Sequence, residues 1–458
     1  MRFFIMKKTN DLWHDPIIPL VIKLAIPTMI AQFVNVLYAI VDRMYIGNIP
    51  DIGDVALAGV GVCSPIITLL TSFGTLVGIG GSVLVSMRLG EKKKKKAEEI
   101  LANCFLLLTI LSVLLTILFL LLKGKLLVWF GASDVTFSYA NTYLTIYTAG
   151  TFFALIALGM NYFIICQGYS TIGMFTVLIG AISNIILDSV FIFGFKLGVA
   201  GGALATVISQ LASCLFVLAF LFSQKPQVRI TFSGYSTKIM IRVLKIGFSP
   251  FVILATDSVL IIALNTVLQR YGGSDGDMLI ASATIVQSYM TLITSPMLGI
   301  TSGSQPLLSF NYGAKSEERV KKGIQTMLTI CFLFTSIMFL LSRFFPQYFV
   351  LLFTSDPAYK ELSIWGIKVF TLSIIPLSLQ YVFVDGLTAL GATQISLALS
   401  LARKTLYLLL TITIPIVFMA RFAFYAEPIS DLIAAITSTT VFLLFFKKHM
   451  ARRMAELD

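Results

Sequence analysis

Four carboxylates interrupt long apolar stretches of this chain, Asp42, Asp188, Asp257 and Asp385. A charge in such a setting costs about 2.5–3.5 kcal/mol on insertion scales, so each is a functional candidate. Asp188 stands in Ser183-Asn184-Ile-Ile-Leu-Asp188, where the i, i+4 spacing puts Asn184 and Asp188 on one helix face. Thr206 follows Gly201-Gly202 on the next apolar stretch. Asn35, Tyr38 and Asp42, at i, i+3 and i+7, share one face of the first stretch. Two carboxylates, two amides and a hydroxyl at similar depth have the oxygen ligands for Na⁺. They suit a shared proton equally, because neighbouring carboxylates resist double ionisation. Asp257 accompanies Lys368, Arg403 and Lys404 in the second half of the chain, as either an internal ion pair or a substrate contact. Asp385, before Gly386, reads as an interfacial or capping residue.

These groups need elements to hold them. Of 458 residues, 57% are hydrophobic and only 12% charged, against about 25% charged in soluble domains. A bilayer core needs roughly 20 apolar residues per helix. The pattern predicts an all-α integral membrane protein with twelve spans. They lie near 17–46, 54–88, 97–122, 136–167, 171–194 and 200–223, then 239–270, 278–310, 319–342, 358–387, 392–418 and 428–447.

The net charge of +12 fits basic loops on one membrane face, not nucleic acid, since no stretch interleaves basic and aromatic residues outside the spans. Lysines and arginines cluster in the N-terminal tail, in the Lys92–Lys96 run, between Lys225 and Arg242, between Lys315 and Lys322, and in the C-terminal tail. The opposite loops hold about a third as many, which places both termini in the cytoplasm and the chain in the plasma (inner) membrane. A polar stretch before the first span, and no cleavage pattern after it, predict that the N-terminus is not a removable signal peptide. Cys63, Cys104, Cys166, Cys214 and Cys331 lie in apolar stretches without metal-ligand spacing, and read as small core residues. His14 and His449 stand in opposite tails. No catalytic constellation and no ATP-binding motif is apparent, so the chain reads as neither enzyme nor ATPase and calls for no cofactor beyond a coupling ion.

The chain repeats itself. Ser86-Met-Arg-Leu-Gly90-Glu-Lys92 recurs 223 positions later as Ser309-Phe-Asn-Tyr-Gly313-Ala-Lys315. Ser133-Asp134 returns as Ser355-Asp356, and Gln167-Gly168 as Asp385-Gly386. Lys23-Leu-Ala-Ile-Pro27 returns as Lys245 to Pro250 with a one-residue slip. Six spans per copy make this a parallel repeat about the membrane normal. The expected divisions are a tail 1–16, an N-lobe 17–223, a cytoplasmic linker 224–237, a C-lobe 238–447 and a tail 448–458. Two lobes around a cleft suit alternating access. Pro27, inside the first span, is either a hinge or a static kink.

In order and spacing, several segments resemble the multidrug and toxic compound extrusion (MATE) family, its MepA-type branch in particular. They are Leu24-Ala25-Ile26-Pro27, Val41-Asp42-Arg-Met-Tyr-Ile-Gly47, Ser86-Met-Arg-Leu-Gly90, Cys166-Gln-Gly-Tyr169, Asn184-Ile-Ile-Leu-Asp188 and Gly198-Val-Ala-Gly-Gly-Ala-Leu-Ala-Thr206. The resemblance implies two pseudo-symmetric six-helix bundles of the MATE/MOP type in a V. It implies antiport of organic, often cationic, compounds against Na⁺ or H⁺. Asp42, Asn184, Asp188 and Thr206 match the family's N-lobe cation site, and Pro27 the proline where its first helix bends. Asp257 stands near a coupling acid of another branch. Asn265, at the repeat position of Asp42, leaves the C-lobe without that acid. A flippase for lipid-linked intermediates shares the superfamily and is the alternative. Substrate identity, the choice of ion and the oligomeric state are not legible.

Overall fold

A computed structural model describes residues 11–455 apart from 131, 133, 354 and 355. Among them are helices and no strand, as a bilayer-spanning chain requires when every backbone group must be bonded internally. Eleven helices among the described residues are long and apolar enough to cross a membrane, and one bent pair makes a twelfth. Spans 1 to 3 are Ile17–Gly47, Gly53–Gly90 and Lys94–Trp129. Span 4 is the pair Asp134–Ala149 and Thr151–Ile165, bent by 57° at Gly150. Span 5 runs Ser170–Asp188 and continues as a π-helix, Ser189–Gly194; span 6 is Gly198–Phe222. Spans 7 to 9 are Thr237–Tyr271, Gly276–Gly313 and Glu317–Phe344. Span 10 joins Pro357–Phe370 to Ile374–Ala389 through a 3₁₀ turn, and spans 11 and 12 are Thr393–Val417 and Ala426–Ala455. Leucines such as Leu121 and Leu352 are 78% exposed on the outer surface. In water that belt would be costly, whereas hydrocarbon accepts it.

The repeat is visible as paired geometry. Ser86 Oγ donates to Cys166 O and Ser309 Oγ to Ala389 O, at 3.4 and 2.9 Å. Lys92 and Lys315 share a positive φ, 60° and 58°. One proposed correspondence is corrected. The partner of Gly168 (φ 90°) is Gly391 (φ 79°), not Gly386, which sits inside the helix of span 10. Glycine is needed at both because each turns the chain through the left-handed region. Ser133 and Ser355 lie outside the described residues; Asp356 caps its helix by accepting from Ala358 N at 2.8 Å.

Two buried cores form, one per lobe, and each takes in the start of the other lobe's first span. Ile17, Leu20, Val21, Leu24 and Ala25 pack in the C-lobe core, and Val243 and Ile246 in the N-lobe core. Small residues make this exchange possible. A Cβ on Gly247 would lie 1.7 Å from Leu76 O, and one on Gly80 2.2 Å from Val243 O. On the other side Gly299 meets the backbone at Thr28 and Met29. Spans 2 and 8 cross in the same way, Gly90 against Phe310 O and Gly313 against Met87 O. All these close approaches lie in the span halves nearest the termini. These backbone approaches therefore join the lobes at the termini end.

Candidate functional site

Span 1 changes hands at Pro27. Residues up to Ala25 belong to the C-lobe core, whereas Asp42, about four turns beyond Pro27, belongs to the N-lobe. Proline gives no N–H to the turn before it and loosens that turn. Thr28 compensates locally: its Oγ lies 3.0 Å from Leu24 O, 2.9 Å from Ala25 O and 2.7 Å from Gly299 O of span 8. The same loosening sits at Pro250, inside span 7 at the repeat position.

In the half of the N-lobe farther from the termini end, spans 1, 4, 5 and 6 bring their polar side chains together. Asp42, Asn184, Asp188 and Thr206 are all buried. The carboxyl groups of Asp42 and Asp188 are direct neighbours. With its amide turned so that nitrogen faces the acid, Asn184 Nδ2 donates to Asp188 Oδ2 at 2.7 Å, and its oxygen lies 3.2 Å from Thr206 N. The Tyr38 phenol lies beside both acids and Thr206, and that of Tyr143 beside Asp42 and Thr206. Tyr147 stacks on Tyr143 at 6.4 Å and accepts from Gln210 Nε2 at 3.1 Å. Oδ1 of Asp42 and Oδ1 of Asp188 are both buried without a hydrogen-bond partner. Among the described residues neither acid is in an ion pair with a base. Two carboxylates facing each other without an ion-paired base resist double ionisation, although the neighbouring Arg43 favours the charged form of Asp42. A proton shared between them relieves this, and so does a hard cation that accepts oxygen ligands. The site lies at the end of the N-lobe away from the backbone approaches that join the lobes.

Of the six N-lobe residues singled out from the sequence, five come together here, Tyr38 among them, and Asn35 stays outside. Asn35 is exposed and its amide lies 3.4 Å from Gln32 Oε1. It shares a helix face with Asp42, but seven residues are about 10 Å along the axis. Tyr143, Tyr147 and Gln210 were missed, since uncharged polar groups on apolar spans give no distinguishing signal. The π-helix that begins right after Asp188 was missed too. Such segments collect at functional positions because they displace a side chain from the regular helix face.

The C-lobe holds a different arrangement. Asp257, half exposed, accepts from Lys404 Nζ at 2.6 Å, and Lys404 also donates to Thr256 Oγ1 and Ile253 O. The internal ion pair is thus formed. Arg403 does not join it: Nε donates to Asp431 at 2.7 Å and an NH2 to Glu427 at 2.8 Å. Glu427 and Asp431 were not singled out, although their i, i+4 spacing at the start of span 12 was the available signal. Lys368 is exposed and stands apart from the cluster. Asn265 is half-buried in span 7, and Thr411 occupies the repeat position of Asp188, so the two-acid site is not duplicated. Asp385 is not a cap. It sits inside the helix of span 10 and accepts from Thr301 of span 8 at 2.5 Å.

Comparison with known proteins bears on the family and the fold. The family model for MatE matches residues 27–190 and 254–413. A multidrug export protein MepA of Staphylococcus haemolyticus is 25% identical over 438 residues, 95% of this chain and 94% of its own. That of Staphylococcus saprophyticus is 26% identical over 370 residues, 80% of each chain. A multidrug resistance MATE family transporter of the MOP superfamily, solved in an outward-facing conformation, superposes with a TM-score of 0.90. It is 22% identical, with 97% of this chain and 99% of that one covered. A MATE protein in a bent conformation gives a TM-score of 0.87 at 22% identity, over 95% and 96% of the two chains. The chain belongs to the MATE family and is of the MepA type.

Proposed function

We propose that the protein is a secondary exporter that drives organic, often cationic, compounds out of the cell in exchange for Na⁺ or H⁺, with coupling at Asp42 and Asp188. The observation that carries this reading is the pair of buried, facing carboxylates whose Oδ1 atoms have no partner. Multidrug efflux itself follows from family membership and from the relatives named as multidrug export proteins. The ion and the charge of the substrate are the further step.

The coupling follows from linkage. Asp42 is held by span 1, whose other half is anchored in the C-lobe core. Bending or straightening of span 1 at Pro27 as the lobes move would shift Asp42 relative to Asp188, which is held by span 5. A cation or proton between the carboxyls favours the state in which they are close. It shifts the lobes only by its difference in affinity between the two states. A cleft open at the end away from the termini would admit substrate to the same lobe, so ion entry and substrate release oppose each other. Tyr38 and Tyr143 offer aromatic faces suited to an organic cation. The protein would lie in the plasma membrane with both termini in the cytoplasm. The flippase alternative draws no support: the twelve spans carry no additional helices, and the relatives are named as drug exporters.

Purified protein in vesicles, loaded with a cationic dye, tests the reading. An imposed Na⁺ or pH gradient should drive uphill dye movement that saturates. Dye flux equal with and without either gradient would reject coupled export.

A further inference from the structure

We infer that the short segments leading into spans 1 and 7 are matched latches, each clamped by the opposite lobe, which hold the termini end of the transporter shut. This rests on the alternating-access reading of the two lobes.

The first latch is Leu12–Asp15. Asp11 folds it into a turn, accepting from Trp13 N at 2.9 Å and His14 N at 3.1 Å. The turn buries Leu12 in the C-lobe core and sets Trp13 against Phe310 at 6.4 Å, with Lys92 Nζ 5.9 Å above its ring. Arg319, at the start of span 9, donates to Leu12 O and to Asp15 O, both at 3.0 Å. Its Nε donates to Asn311 Oδ1 at 2.8 Å, which fixes the fork. An N-lobe helix thus begins from a segment tied to the C-lobe by one guanidinium.

The second latch is Gly234–Ser236, just before span 7. Asn103 of span 3, fully buried, donates to Gly234 O at 2.9 Å and accepts from Ser236 N at 2.8 Å. Further back, Val228 N donates to Gln167 Oε1 at 2.7 Å, and Tyr169 Oη donates to Lys225 O at 2.9 Å. Here a C-lobe helix begins from a segment tied to the N-lobe.

Adding the repeat interval of 223 to Leu12 gives position 235, so the latches occupy one place in the two copies. The clamping side chains do not correspond: Thr326 stands at the repeat position of Asn103, and Lys96 at that of Arg319. Different side chains serve one mechanical position. For the termini end to open, span starts now buried in the opposite lobe must leave it, and both clamps must release first. Arg319 and Asn103 therefore act as positioning residues for the outward-open state. They do not contact substrate.

The test uses the full chain with its five cysteines replaced and spin labels at Lys94→Cys and Lys321→Cys, exposed positions on opposite lobes. Arg319→Met and Asn103→Ala should each raise the population of the longer label distance about tenfold relative to the shorter, the size expected for one or two charge-assisted or buried hydrogen bonds. The double variant should raise it about a hundredfold, since the sites are separate. Arg343→Met, which removes a clamp within the C-lobe to Lys368 O and Thr371 Oγ1, should leave the distances unchanged. A double variant with the unaltered distance distribution would overturn the inference. So would an equal shift in Arg343→Met. If the double variant does not fold, hydrogen exchange of the unsubstituted protein decides. Slow exchange at Ser236 and Val228, as slow as in span 7, supports the latch, and exchange at loop rates overturns it.

Discussion

Replacing Arg403 by methionine should destabilise the C-lobe far more than removing the whole charged triad. Arg403 binds Asp431 Oδ1 at 2.7 Å and Glu427 at 2.8 Å. The Asp431 side chain is completely buried, and those of Arg403 and Glu427 are 17% and 16% exposed. Water therefore does little to screen the three groups. Asp431 Oδ2 already lacks a partner, so the carboxylate depends on the guanidinium. Arg403→Met leaves two carboxylates near each other with one other base acting on them, Lys404, already committed to Asp257. Breaking a buried pair from one side costs about 3–5 kcal/mol, whereas replacing all members by neutral groups of like size is often close to neutral. Apparent thermal midpoints in detergent, measured with near-native tryptophan fluorescence, would compare three proteins. The single variant should melt well below the unsubstituted protein, and Arg403→Met with Glu427→Gln and Asp431→Asn should recover most of the loss. A single variant as stable as the parent, or a triple variant worse than the single, would refute the reasoning. If the triple variant still exports against a gradient, the cluster serves the fold and not coupling.

Other outcomes follow from named contacts. A methyl group on Gly313 would sit 2.1 Å from Met87 O, so Gly313→Ala must part spans 2 and 8. An overpacking penalty of about 1–3 kcal/mol should then appear as reduced export, with normal membrane insertion; unchanged export would show that the crossing has slack. Pro27→Ala restores a backbone donor and should straighten span 1 and slow initial dye efflux from vesicles. An unchanged rate would make Pro27 a static kink. Single cysteines at Lys94 and Lys448 should be shielded from an impermeant reagent added to intact cells, and one at Asp275 labelled. Labelling at 94 without labelling at 275 would reverse the topology.

The spans were legible because apolar length is sufficient to mark a crossing, and Gly90 and Gly313 stood out because the repeat isolates them. The exchange of span starts was not legible. Leu20, Val21 and Leu24 would bury equally well against either lobe, and only the backbone approach at Gly299 and Gly303 decides which. Asp188 was found through Asn184 one turn away. Glu427 and Asp431 escaped because acids at the first turn of a span ordinarily face water, and only the position of Arg403 on the neighbouring span turns them inward. Asn35 was overcalled for the converse reason: helical periodicity fixes a face but not a depth. The pairing of Gly168 with Gly386 failed because the dipeptide match ignored the backbone, whereas the positive φ at Gly391 identifies the true counterpart.

The account stands on Asp188. It faces Asp42, takes a hydrogen bond from Asn184 and keeps one buried oxygen free. Asparagine has the same size and can still bond Asn184, but it cannot neutralise Na⁺ or take up a proton. The decisive measurement is uphill dye efflux from vesicles under an inward Na⁺ or H⁺ gradient, made on Asp188→Asn and on the parent, with equilibrium dye binding measured alongside. The expected variant inserts, folds and binds dye but no longer exports it uphill. Uphill export at the parent rate would make Asp188 a packing residue and remove the N-lobe site from the mechanism.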